Sequence, residues 1–90
     1  MNLNTVIPIL KVACLMREMP MGQGWTTGTQ LRDYSGVSHS TTYRYIIKMV
    51  GDGLLEPRAF KRGKIACAEY RITEKGRDLL ASQQVLKIIS

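Results

Sequence analysis

The stretch Leu31–Leu55, LRDYSGVSHSTTYRYIIKMVGDGLL, decides how the chain is to be read. It divides into a helix closing over Leu31–Tyr34, a corner at Ser35-Gly36-Val37, and a second helix opened by Ser38. Ser38 suits the N-cap because its hydroxyl can accept from free N–H groups of the first turn. Gly36 stands where a sharp helix-to-helix corner wants positive φ, which costs glycine little. Beyond Ser38, Thr42, Tyr45, Ile46 and Met49 recur at i, i+3, i+4 and i+7 and are expected to pack inward. Ser40, Tyr43, Arg44, Ile47 and Lys48 fall on the opposite side. That outer face, small and polar at its start and then aromatic and cationic, suits insertion into the major groove of duplex DNA.

Downstream, Gly51, Asp52 and Gly53 end this helix and Leu54-Leu55 return to the core. Arg58-Ala59-Phe60 and Ile65–Ile72 read as two strands joined by Lys61-Arg62-Gly63-Lys64, where the glycine is the hairpin signal. In the second strand Ala66, Ala68, Tyr70 and Ile72 share one face, expected to be the core face, and Ile65, Cys67, Glu69 and Arg71 share the other. Thr73 caps a last helix from Glu74 to about Ile88. Upstream, Asn4 or Thr5 is expected to cap a first helix ending near Glu18, with Pro8 tolerated if it falls in the first turn. Met19–Gly24 reads as a loop, and Trp25-Thr26 as a short strand against the hairpin. Thr27-Gly28-Thr29-Gln30 has the capping-box pattern and opens a helix over about Gly28–Ser35. Trp25 is expected to be a core or interface anchor rather than a stacking platform for a nucleobase, because nothing basic flanks it in sequence.

VSHSTTYRYIIKMVGDGLLEP, with RITEKGRDLL downstream, resembles the winged helix-turn-helix domains of bacterial regulators of the MarR-like, PadR-like and IclR-like kinds. Those families tend to carry a Gly-apolar-Ser-x-Ser-Thr turn, an Arg four positions after the second Ser, a Gly-Leu-apolar close, and an apolar-Thr-x-x-Gly after the wing. The matching residues are Gly36, Val37, Ser38, Ser40, Thr41, Arg44, Gly53, Leu54, Leu55, Ile72, Thr73 and Gly76, and the resemblance covers roughly residues 25–80. Arg32 stands where an Ala is common and Ser35 where an apolar residue is common. The resemblance implies a mainly α fold with a small antiparallel β-wing: a three-helix core, a two- or three-stranded wing and a C-terminal helix. On this chain that gives one domain over residues 1–90, with helices near 5–18, 28–52 (the helix-turn-helix) and 74–88, and the wing near 55–72.

Thirteen Lys+Arg against seven Asp+Glu give a net charge of +6, the usual footprint of a nucleic-acid partner. The excess is concentrated: Arg44, Lys48, Arg58, Lys61, Arg62 and Lys64 face only Asp52 and Glu56 between His39 and Lys64. The candidate DNA-binding residues are therefore His39, Ser40, Thr41, Tyr43, Arg44 and Lys48 on the reading helix and Lys61, Arg62 and Lys64 on the wing tip. Ser40 and Thr41 sit near a helix start that attracts phosphate, and Arg44 can donate a bidentate pair to guanine. The wing tip is expected to meet a backbone or enter a minor groove. Alternatively, Arg44 and Lys48 form an ordinary solvated face paired with Asp52, and the wing cations only protect a sheet edge.

Other functions are disfavoured. His39 has no nearby nucleophile and carboxylate, no Gly-rich phosphate loop follows a strand, and two distant cysteines with one His make zinc unlikely, so no enzyme, cofactor or metal is expected. Val6–Met16, interrupted by Lys11, is too short to span a bilayer, and the N-terminus lacks signal-peptide features, so a cytoplasmic, nucleoid-associated protein is expected. The first helix is apolar on nearly every side and the last carries Leu79, Leu80, Val85, Leu86, Ile88 and Ile89; either the C-terminal helix alone covers the first within the fold, or, as is expected, the excess serves a homodimer through both helices. The expected function is sequence-specific binding of double-stranded DNA to regulate transcription, by steric occlusion of a promoter if it represses. Compared with the MarR-like families the chain is short, with no obvious room for a dedicated effector domain, so a small autonomous repressor is expected. The alternatives are a replication, recombination or architectural DNA-binding factor, and a winged-helix protein-interaction module that does not bind DNA.

Overall fold

The computed structural model describes residues 2–19 and 23–89, with side chains at all of these except 60, 62 and 84–89. The elements run α1 (Leu3–Glu18), β1 (Thr26–Thr27), α2 (Gly28–Ser35), α3 (His39–Gly51), β2 (Leu55–Arg62), β3 (Ile65–Ile72) and α4 (Glu74–Ile89). The first helix starts earlier than its sequence suggested. Asn2, not Asn4 or Thr5, is the N-cap: its side chain accepts from the Asn4 amide at 2.9 Å, and its carbonyl accepts from Thr5 and Val6. Pro8 consequently falls in the second turn. The carbonyl deprived of a donor there is that of Asn4, which is exposed, so water can serve it.

The core gathers around α1. Val6, Ile9, Leu10, Val12 and Ala13 are buried against Leu31 of α2, Ile46 and Met49 of α3, Leu54 and Leu55 at the start of the hairpin, Ile72 of β3 and Leu80 of α4. Most of the apolar periphery of α1 is thus covered within the chain, because helices and sheet pack around it rather than on one face. Leu15, at 64% exposure, is the main exception along the body of the helix.

The capping box at the start of α2 is present in both directions, Thr27 Oγ1 accepting from the Gln30 amide and Gln30 Oε1 accepting from the Thr27 amide. Gly36 takes φ 75° at the corner, where an L side chain would be strained. Ser38 starts α3 without making a side-chain cap, which corrects the sequence expectation. It is exposed, so water reaches the first-turn N–H groups and a hydroxyl is not needed to satisfy them. The corner is tied from inside instead, by buried Thr42 donating to the Val37 carbonyl at 3.2 Å.

The sheet is antiparallel, in the order β1-β3-β2. Its short edge strand lies one residue later than Trp25-Thr26, with Thr26 opposite Tyr70 and Thr27 opposite Glu69. β2 and β3 pair from Leu55–Ile72 at the root to Arg62–Ile65 at the tip, a longer hairpin than the sequence indicated, and Gly63 turns it at φ 64°. Only the root is core. Ile72 is buried and Tyr70 packs on the core, but Ala66 and Ala68 on the same face are exposed, because the hairpin runs out past the helices. At the root, α4 docks on the turn after α3. Thr73 donates to the Gly53 carbonyl at 2.5 Å and accepts from the Gly76 amide at 3.0 Å, and Lys75 reaches the Asp52 carbonyl at 2.7 Å.

Candidate nucleic-acid interface

Burial of Thr42, Ile46 and Met49 sets the phase of α3 and turns Ser40, Arg44, Ile47, Lys48 and Gly51 outward, all exposed. The helix contains no acidic residue. Among the described residues neither Arg44 nor Lys48 pairs with a carboxylate, Asp52 included. Both cations lie near the Tyr45 ring instead, Arg44 at 5.9 Å and Lys48 at 5.4 Å from its centroid. Tyr45 is half-buried on the core, and both cations stay exposed beside it.

The other flank of α3 is less open than its spacing implied. Tyr43 is half-buried, its ring against the backbone of Gly28: a Cβ added at Gly28 would lie 2.6 Å from Tyr43 Cε1. Its hydroxyl is 3.4 Å from Thr29 Oγ1, and the His39 ring lies over it at 4.8 Å between centroids. His39 Nδ1 in turn contacts Arg32 Nη1 at 2.9 Å. Thr41 is half-buried, and Ser40 is exposed. Half-buried Thr41 aside, the predicted helix residues therefore form two groups: a solvated stripe with Ser40, Arg44 and Lys48, and a seam with His39 and Tyr43 that joins α3 to the start of α2.

Across a cleft of about 560 Å³ from Tyr43 stands the middle of the hairpin, with Cys67, Ala68 and Tyr70 on its wall and Thr27–Gln30 at its floor. The Tyr70 phenol is held above its ordinary pKa, first by burial and then by the nearby Tyr43. At the tip Lys61 and Lys64 are exposed; the Arg62 side chain lies outside the described residues.

The remaining hairpin cations are occupied. Arg58 pairs with Glu69 at 2.7 Å and Arg71 with Glu56, and both guanidiniums lie over Trp25, at 4.3 and 4.6 Å from the ring centre. Trp25 is flanked by cations after all, contrary to the sequence reading, because antiparallel pairing brings distant arginines to it. A signal was present: Glu56-Pro57-Arg58 and Glu69-Tyr70-Arg71 repeat a Glu-x-Arg spacing, and antiparallel strands set each Glu opposite the other's Arg.

No family model and no curated protein matches the chain by sequence. Solved structures do match. Bacillus subtilis PadR in complex with operator DNA superposes with a TM-score of 0.72 at 21% identity, over 89% of this chain and 46% of that one. A PadR family transcriptional regulator from Eggerthella lenta DSM 2243 gives 0.73 at 20% identity, over 97% and 77%. The fold is a winged helix-turn-helix. The MarR family transcriptional regulator SPO1453 from Silicibacter pomeroyi DSS-3 shares it more loosely, with a TM-score of 0.57 at 21% identity over 93% of this chain and 54% of that one. The winged helix seen here thus spans less than half of the Bacillus subtilis protein. Within it, α2 and α3 form the helix-turn-helix and β2–β3 the wing. No helix among the described residues is long and apolar enough to cross a membrane, and no group of metal-ligating side chains clusters there.

Proposed function

We propose that this winged helix binds a specific duplex DNA site and regulates transcription, as a homodimer that represses by covering a promoter. The observation that carries the reading is the solvated stripe of α3, which presents Ser40, Arg44 and Lys48, the two cations paired with no carboxylate among the described residues. An unpaired guanidinium on a rigid helix can donate to a guanine edge, and a polyanion replaces the missing counter-charges. The wing lysines Lys61 and Lys64, on a hairpin across the cleft from α3, suit phosphate contact. That the Bacillus subtilis neighbour was solved with operator DNA supports the same use of the shared fold. For the dimer, the support is an apolar groove of about 730 Å³ on the uncovered side of α1, where Leu15, Met19 and Tyr34 are 64, 54 and 71% exposed.

The test is selection of bound fragments from random duplexes, followed by titration of the selected site and a scrambled duplex at several salt concentrations. Arg44→Ala is expected to cost about 1–3 kcal/mol on the selected site only. Neutralising Lys61, Arg62 and Lys64 together is expected to weaken both duplexes alike. It should also flatten the salt dependence by about 0.9 in log–log slope for each phosphate that is no longer neutralised. Binding that ignores both changes excludes this surface as the DNA interface.

A further inference from the structure

Ile47 is 74% exposed, more than any other large apolar side chain among the described residues. A single exposed apolar residue is ordinary on a protein surface. Its position is what matters. It follows Arg44 by three positions and precedes Lys48 by one, on the acid-free outward stripe of α3 that begins at Ser40. One turn further along the same face, Gly51 is exposed, carries no side chain of its own, and has nothing within 4 Å of the place where a Cβ would stand, its chain neighbours aside. A duplex drawn in by Arg44 and Lys48 would cover Ile47 as well. Its branched side chain would then need an apolar partner in a groove otherwise lined with hydrogen-bonding edges. The major groove offers one such group, the C5-methyl of thymine.

We propose that Ile47 packs on a thymine methyl and selects thymine at one position of each half-site, next to the base or phosphate that Arg44 meets. This rests on the DNA-binding reading above and adds a specificity residue to it. Arg44 discriminates by hydrogen bonds; Ile47 discriminates by a methyl group alone, a difference that can be removed chemically without touching any hydrogen-bonding edge.

The experiment replaces each thymine of a selected duplex in turn by deoxyuridine, which deletes only that methyl, and measures the dissociation constant with the wild-type chain and with Ile47→Ala. At one position per half-site the wild type is expected to lose about fourfold in affinity, the scale of one buried methyl(ene) group. Ile47→Ala is expected to bind the thymine duplex more weakly and to be indifferent to uracil at that position. Ile47 is exposed, so this variant should melt like the wild type, and the uracil scan on the unaltered chain stands without it. A wild type indifferent to every replacement overturns the proposal. So does an Ile47→Ala variant that keeps the same uracil penalty. Failure to enrich any duplex at all is a different result: it removes the DNA-binding reading itself.

Discussion

Gly76 lies where α4 crosses the turn after α3, and a Cβ there would collide with the Leu54 carbonyl oxygen and come within 2.8 Å of Ile72 Cγ1. The nearer obstacle is backbone held by the Thr73 amide, so it cannot rotate away. Gly76→Ala is therefore expected to destabilise by about 1–3 kcal/mol despite alanine's better helix propensity. At this chain size each kcal/mol lowers Tm by about 4–8 °C, measurable by thermal melting. Tyr70 supplies a second prediction. Its phenol is raised above the ordinary value, so the folded chain prefers the neutral form, and the associated stability is complete below the unfolded-state pKa of about 10. It is lost as pH rises through the folded value. Melts between about pH 9 and pH 11 should show this alkaline decline, and Tyr70→Phe should flatten it, relative to wild type.

The two cationic parts of the wing differ in what their charges meet. At the root, Arg58 and Arg71 direct their charge to Glu69, Glu56 and the Trp25 ring, which braces β3 against the loop before α2. At the tip, Lys61 and Lys64 are exposed, and no carboxylate pairs with either among the described residues. Arg71→Met should cost stability of about 1 kcal/mol, from a partly exposed ion pair and a cation–π contact, while leaving the salt slope of DNA binding unchanged. Lys64→Gln should do the reverse, leaving Tm in place and reducing the slope by about 0.9. Equal slope changes for the two variants would mean that the root, too, meets the phosphate backbone.

On the scale of the whole molecule, α1 is surrounded by the other elements, so the apolar surface left for a partner is narrower than the composition of the helix suggests. Among the described residues it includes the groove at Leu15, Met19 and Tyr34; the apolar positions Val85–Ile89 of α4 fall outside the described side chains. Sedimentation at micromolar concentration is expected to give about twice the 10.1 kDa chain mass. Leu15→Glu, which places a charge in the lining of that groove, should shift the chain to monomer without lowering the helix content seen by circular dichroism. Dimers that persist in this variant would move the interface elsewhere.

Features written within a few residues of one another were legible from the chain alone. The phase of α3 followed from Thr42, Ile46 and Met49, the start of α2 from Thr27 and Gln30, and the hairpin turn from Gly63, since each depends on local spacing and local hydrogen bonds. Arg44 and Lys48 were placed on the solvated face for the same reason. What spacing cannot state is which neighbour a face meets. Tyr43 lies on the outer half of α3 by periodicity, yet the crossing of α2 and α3 brings Gly28 under its ring. Ala66 and Ala68 share a face with buried Ile72, yet they leave the core because the hairpin outruns the helices. Trp25 has no basic neighbour in sequence and two in space. In each case burial and pairing depend on contacts between residues far apart in the chain, which only the packing of whole elements decides.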